Sequence, residues 1–300
     1  MPSKRPSTNS KRALLAPLDP RRFAPTPERP VRAKARLMAP DSEIQPHSHA
    51  WAQVAIAVAG VAHVTAGHCT YLVPAWRAVW IPPRVEHVVT VVQAAELRTL
   101  YLHQAAGAVG PGVPEHEQAA WTGCRVLEVS PLLRELVLQM DPGPEMPAEP
   151  GTEWLARERR LADLTLDELR RAAPVRLGLA LPQDKRLRAL CEAVITDPTR
   201  HATLDGWAAE AGASARTVAR LFRQELGSSF GPWRQQVLLA RALTLAAQGR
   251  PMGLIATELG YASASAFTAM VRRSVGEPPA RFFNRSHAST ARATRLPSRR

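Results

Sequence analysis

The chain has 300 residues, 45% of them hydrophobic, with 27 prolines and 39 Lys plus Arg against 26 Asp plus Glu, a formal net charge of +13. That hydrophobic share can bury a core, which excludes wholesale disorder, and no apolar run reaches the ~20 residues of a membrane helix, so the reading is a chain without a membrane partner. The positive surplus calls for an anionic partner, and its distribution points to nucleic acid: residues 1–36 carry +8, residues 37–199 carry −5 and residues 200–300 carry +10. Three widely spaced cysteines, Cys69, Cys124 and Cys191, form no C-x-x-C pair, and the basic N-terminus has no apolar stretch of signal-peptide length; both features fit a reducing cytoplasm.

In chain order, residues 1–36 hold seven prolines and little apolar periodicity and read as a disordered basic arm. From Glu43 to Leu102 short β-type runs alternate with Gly60, Gly67, Pro74 and Pro82-Pro83, the pattern of a small antiparallel barrel or sandwich whose mouth is the natural ligand site. His47, His49, Trp51 and Gln53 alternate, so on one extended strand they share a face, and His87 follows one strand pair later. Ser130 caps a helix with Pro131 at its first position, a proline-rich loop spans residues 141–150, and a second helix runs from Glu153 to Ala172. These helices read as core, with contact to a second copy of the chain for the pair. Residues 174–182, with two prolines and Gly178, read as an interdomain linker.

The C-terminal third is helical. Residues 204–211 form a short helix, Gly212-Ala213 a turn, and Ser214 caps a helix to Leu226 with Val218, Leu221 and Phe222 inward and Arg216, Ala219, Arg220 and Arg223 outward. Such a cationic face suits the major groove, because Arg presents paired donors to guanine O6 and N7. After a connecting helix over residues 232–248 the pattern recurs: residues 252–259, a Gly260-Tyr261 turn, and a helix capped by Ser263. Residues 284–300 read as a flexible basic tail.

Residues 204–282 resemble the AraC/XylS transcription regulators, whose signature is matched by Ile255-Ala256, Leu259-Gly260-Tyr261, Ser263, Ser265, Phe267, Arg272, Gly276 and Pro279. The resemblance places Arg216, Ala219 and Arg220 at base edges in the first unit, Ala264, Ser265, Thr268 and Ala269 in the second, with Arg223, Arg272 and Arg273 available to the DNA. Departures are Leu238 in place of Arg, Ala269 in place of a long polar reader and Val271 in place of Phe. The H-x-H-x-x-x-Q run ending at Gln53, with Gly60 and Pro82 to His87, resembles a cupin with Gln in place of the usual Glu, and so resembles the sensor of one branch of that family. In a cupin the equivalents of His47, His49, Gln53 and His87 converge on one metal, and imidazoles suit Ni or Zn. Without metal the same side chains line an effector pocket or satisfy one another inside the barrel.

The fold class implied is α+β with two domains: a small antiparallel cupin-like β-barrel with appended helices over residues 37–180, then an all-α domain with two helix-turn-helix units over residues 184–283. The function implied is sequence-specific binding of double-stranded operator DNA under control of a small molecule or metal, with RNA polymerase and a homodimeric mate as further partners. The alternative is a metal-dependent cupin oxygenase or isomerase with a basic appendage. Against it stand the missing ligand carboxylate and the absence of an acid/base pair.

Overall fold

The computed structural model describes residues 13–17, 23–67, 69–91, 94–140, 151–175, 178–275, 278, 279 and 283. The N-terminal half folds into two six-stranded sheets. The first runs β1 (Ala13–Leu15), β3 (Ser42–His47), β8 (His87–Val91), β5 (Val61–Ala66), β6 (Cys69–Pro74) and β12 (Gly178–Ala180). In the second the order is β11 (Pro174–Val175), β10 (Arg125–Glu128), β7 (Arg77–Ile81), β4 (Ala52–Ala59), β9 (Ala95–Leu102) and β2 (Val31–Met38). All pairs are antiparallel except β1 with β3. No ladder joins the two sheets among the described residues, so the expected barrel is an open one, closer to a sandwich.

Strand alternation decides what each face buries. On β4, Ala55 and Ala57 meet Ile44, Val89 and Val91 between the sheets, while Val54 and Ile56 face away. The outward set packs beneath α2 (Pro131–Met140) and α3 (Thr152–Arg171), through Leu133, Val137 and Leu169. A strand covered on both faces must be apolar throughout, which is why Ala52 to Ala57 are all buried and Gln53 is the one polar exception. The α2 start is as its sequence predicts: Ser130 Oγ accepts from Leu133 N at 3.0 Å, and the same hydroxyl donates to Glu168.

Three readings need correction. The arm does not extend to residue 36: Val31–Met38 is the edge strand β2, Ala13–Leu15 pairs with β3, and Arg29 holds the Glu158 carboxylate of α3 through Nε at 2.6 Å and Nη2 at 2.8 Å. Prolines at 25, 27 and 30 precede the strand without entering it, so composition hid the alternation of Val31, Ala33 and Ala35 with Arg32, Lys34 and Arg36. The expected linker over residues 174–182 contributes β11 and β12, one to each sheet. His47 and Gln53 do not share a strand, because the chain crosses from one sheet to the other between β3 and β4. The loop over residues 141–150 and the tail over residues 284–300 lie outside the described residues.

The C-terminal half contains α4 (Lys185–Thr196), α5 (Leu204–Glu210), α6 (Ala215–Leu226), α7 (Phe230–Ala247), α8 (Met252–Glu258) and α9 (Ala264–Val275). Among the described residues no helix is long and apolar enough to cross a membrane. Helix α7 is buried on most sides. Its Trp233, Val237 and Ala240 join the first unit's core, and its Leu239, Leu243 and Ala246 join that of the second. Leu238, in place of the usual Arg, is buried on that helix and packs with Val126 and Tyr71 of the sheets.

Glycine is required at Gly60, between β4 and β5, where φ is +75° and an added Cβ would lie 2.5 Å from the Ala94 carbonyl oxygen. Gly67 has φ +58° with open space around it. Gly67→Ala should cost about 1 kcal/mol, a conformational penalty alone, whereas Gly60→Ala should cost about 3 kcal/mol or more because backbone cannot yield as a side-chain tip can. Urea denaturation of the two variants checks this; equal losses would contradict the steric account.

Candidate sensor site and nucleic-acid interface

The expected histidines do come together, two from neighbouring strands of the first sheet and one from the loop that leaves it. His47 ends β3 and lies opposite His87, the first residue of β8, with ring centroids 4.3 Å apart. His49 sits in the crossing loop, 5.4 Å from the His87 ring and stacked on Trp51 at 5.3 Å. One ligand nitrogen from each of His47, His49 and His87 lies within 4.8 Å of the others.

Backbone carbonyls set the tautomers. Nδ1 of His47 donates to Gln45 O at 2.8 Å, Nδ1 of His49 to Trp51 O at 2.8 Å, and Nδ1 of His87 to Val85 O at 3.0 Å. Each Nδ1 thus carries the proton and each Nε2 presents a lone pair, the arrangement in which metal-binding imidazoles are held. Burial holds His47 below its ordinary pKa and lowers His87 to about 4, so His87 is neutral at pH 7. His87 is buried and its Nε2 has no hydrogen-bond partner. Nε2 of His49 lies 2.8 Å from Gln53 Oε1, a contact that is satisfied when the amide turns its NH2 toward the ring.

A cleft opens beside the cluster, lined by His47 and Gln53 together with Lys34, Arg36, Thr99 and Tyr101 over an apolar floor. Sequence reading missed these last four. Their signal was the alternation along β2 and β9, which places Lys34 opposite Thr99 and Arg36 opposite Leu97.

In the C-terminal half both helix-turn-helix units close in the same way. Ala213 N donates to Ala208 O at 2.9 Å across Gly212 (φ +65°), and Tyr261 N donates to Ala256 O at 2.9 Å across Gly260 (φ +76°). The capping serines then bind Thr217 N at 3.1 Å and Ala266 N at 3.2 Å. Val218 and Phe222 are buried on α6, while Arg216, Arg220 and Arg223 are exposed and Ala219 is half-buried. Arg220 Nη1 donates to Gln224 Oε1 at 2.8 Å, a contact that sequence reading did not anticipate. On α9, Phe267, Met270 and Val271 are buried, Ala264, Ser265, Arg272 and Arg273 are exposed, and Thr268 and Ala269 are half-buried. Ser265 Oγ is hydrogen-bonded to Ser263 Oγ at 2.8 Å.

Residues 207–285 match the helix-turn-helix domain family, and residues 30–173 match the AraC-like ligand binding domain family. The HTH-type transcriptional regulator NimR of Escherichia coli is 33% identical over 240 residues, covering 80% of this chain and 82% of NimR. The HTH-type transcriptional regulator RipA of Corynebacterium glutamicum is 31% identical over 102 residues, covering 34% of this chain and 31% of RipA. Among solved structures, ToxT of Vibrio cholerae bound to (E)-4-(8-methylnaphthalen-1-yl)but-3-enoic acid aligns with 86% of this chain and 99% of its own at 9% identity and a TM-score of 0.35.

Titration of the histidine cluster gives a test. With its folded pKa about 4 and its ordinary value 6.5, His87 takes up a proton more readily in the unfolded chain between those pH values. Stability is therefore full above pH 6.5 and falls as pH drops toward 4, by an amount on the order of 3 kcal/mol. Denaturation with chelator present should show this slope for the native chain and a flatter one for His87→Gln; identical slopes would refute it.

Proposed function

This chain belongs to the AraC-type family of helix-turn-helix transcription regulators, and from that membership we propose how its own residues divide the work of binding operator and effector. The enzymatic alternative is set aside, since the relatives are regulators. For the operator, the carrying observation is where arginines lack carboxylates. Arg159, Arg170 and Arg171 of α3 pair with Asp163 or Asp167, and Arg188 of α4 pairs with Glu192. No ion pair forms, among the described residues, at Arg216, Arg220, Arg223, Arg272 or Arg273. An exposed cation left without a carboxylate on a recognition helix keeps its charge available to phosphate and guanine. Helix α6 then reads bases through Arg216 and Arg220, with Ala219 against a thymine methyl and Arg223 at the backbone. Helix α9 offers Ala264, Ser265 and Thr268 for small contacts, and Arg272 and Arg273 for phosphate. The operator is asymmetric, with two elements about 10 to 10.5 base pairs apart, the first G-containing and stringent.

For the sensor, the carrying observation is the buried, unpartnered Nε2 of His87 in a cluster where one ring nitrogen from each of His47, His49 and His87 lies within 4.8 Å of the others. A convergent, carbonyl-anchored imidazole set fits a divalent metal such as Ni or Zn. His47, His49 and His87 would hold it, with Gln53 as neutral neighbour, and the ion would supply a Lewis-acid anchor for an effector. Exposed Leu132 on α2 and Leu155 and Leu164 on α3 support association with a second copy. The same reading places the protein in the cytoplasm with its DNA and keeps RNA polymerase as a partner in transcription.

Replacing Arg220 with Ala should weaken a selected operator by about 1–3 kcal/mol and relax one guanine preference, whereas Arg272→Ala should weaken all sequences alike and reduce the salt dependence. Fluorescence anisotropy over operator variants distinguishes these; full specificity in the Arg220 variant would overturn the assignment. Metal analysis after equimolar Zn or Ni loading should give near-stoichiometric metal for the native chain and little for His49→Ala. Equal content in a His87→Ala control would remove the metal reading while leaving the operator reading intact.

A further inference from the structure

We propose that the cleft between the two sheets, where β2 and β9 face β3 and β8, binds a small organic carboxylate, its head group on Arg36 and its apolar body against Ile44, Val89 and Leu97. This rests on the reading of the N-terminal half as a sensor and names the class of compound sensed.

Charge is the first argument. Among the described residues, the cleft is lined by two cations and no Asp or Glu. On the same face of β2, Arg32 has the Glu158 carboxylate at 3.7 Å, whereas Arg36 donates through Nη1 to the Ala16 carbonyl at 3.2 Å. A carbonyl leaves the guanidinium charge uncompensated and its other N–H groups available, and a planar carboxylate is the anion whose geometry matches them. Burial strengthens that preference, since it lowers the Arg36 pKa and raises the cost of leaving its charge alone.

The remaining lining narrows the class. Burial raises the Tyr101 hydroxyl to about pKa 12, so it is a proton donor at pH 7, and Thr99 adds a second hydroxyl. Phosphate is normally cradled by backbone N–H groups at a helix start or in a loop nest. Here the walls are strands, with no helix start or loop nest among the lining residues, and apart from the outer edge of β2 their N–H groups serve the ladders, so donors come chiefly from a few side chains. The floor is apolar, and the enclosed depth admits about one water-sized group before the cleft opens. A compact head on a short hydrophobic body fits this shape, and a bulky polar ligand does not.

The test uses the full chain, with chelator and again with Zn, titrated calorimetrically with acetate, butyrate and benzoate, with the matching neutral amides, and with inorganic phosphate. At least one carboxylate should bind tenfold or more tightly than its amide and than phosphate. That preference should fall at least tenfold in Arg36→Gln and several-fold in Lys34→Gln, while Arg98→Gln, whose native partner is Glu96, should bind as the native chain does. Circular dichroism establishes folding; should Arg36→Gln unfold, Arg36→Lys takes its place, with a smaller loss expected. Equal binding of acid and amide, tighter binding of phosphate, or indifference to both cation replacements would overturn the proposal. Operator binding measured on the same samples separates this from failure of the regulator reading: DNA binding without carboxylate preference rejects the cleft assignment alone, and carboxylate preference without DNA binding rejects the operator assignment alone.

Discussion

Burial of α7 on most of its circumference is the constraint on which the architecture turns. A helix with a single apolar stripe can serve one core, but this one has Trp233, Val237 and Ala240 in one cluster and Leu239, Leu243 and Ala246 in another. Both helix-turn-helix units are therefore set by one rigid element. Its Leu238 also packs with Val126 and Tyr71 of the sheets, and Trp233 Nε1 donates to the Ala180 carbonyl of β12 at 2.8 Å. Because the connecting segment is itself strand, paired to β6, the sensor joins the DNA-binding half through ladder hydrogen bonds and packed side chains. An interior of this density transmits small displacements, so a change in sheet geometry has a physical route to the recognition helices. Glu225 of α6 reinforces that route by accepting from Gln183 N at 2.6 Å and Asp184 N at 3.0 Å, which ties the first recognition helix to the segment entering the helical half.

The helix-turn-helix units were legible in the sequence because their determinants are local. A serine cap, a glycine at positive φ and apolar residues three and four apart lie within a few positions of one another, and the structure realises each of them at Ser214, Gly212, Val218 and Phe222. Repetition of the same grammar at Gly260 and Ser263 then marks the second unit. The β-half was less legible because its pairings are long-range. Composition alone cannot show that β2 pairs with β9, that β11 and β12 lie on separate sheets, or that a charged, proline-preceded segment is an edge strand with three cations on one face.

The histidines show how convergence can be anticipated from the wrong geometry. Alternation at 47, 49, 51 and 53 suggested one strand face, yet the chain leaves β3 after His47 and enters β4 before Gln53. The cluster forms because β3 and β8 are neighbours in one sheet, which sets His47 opposite His87, and the loop leaving β3 brings the His49 ring to 5.4 Å from His87. What fixes its chemistry is a set of backbone carbonyls that no side-chain pattern reveals: those of Gln45, Trp51 and Val85 each take an Nδ1 proton.

That arrangement also explains why the site tolerates so little carboxylate. Burial holds His47 and His87 below their ordinary pKa, and such imidazoles need no counter-charge, so the missing Glu at position 53 leaves no unpaired charge behind at those two. The amide there instead meets His49 at 2.8 Å. Positive charge is concentrated one step away, on Lys34 and Arg36 at the cleft, and Arg36 itself adds to the lowering of the His47 pKa. An imidazole set without a carboxylate beside a cationic rim has a definite electrostatic sense: any cation held by the imidazoles raises the local potential further, and the group best accommodated next to it is an anion. The residues that depart from a carboxylate-containing site and the residues that line the cleft are thus two sides of one charge distribution.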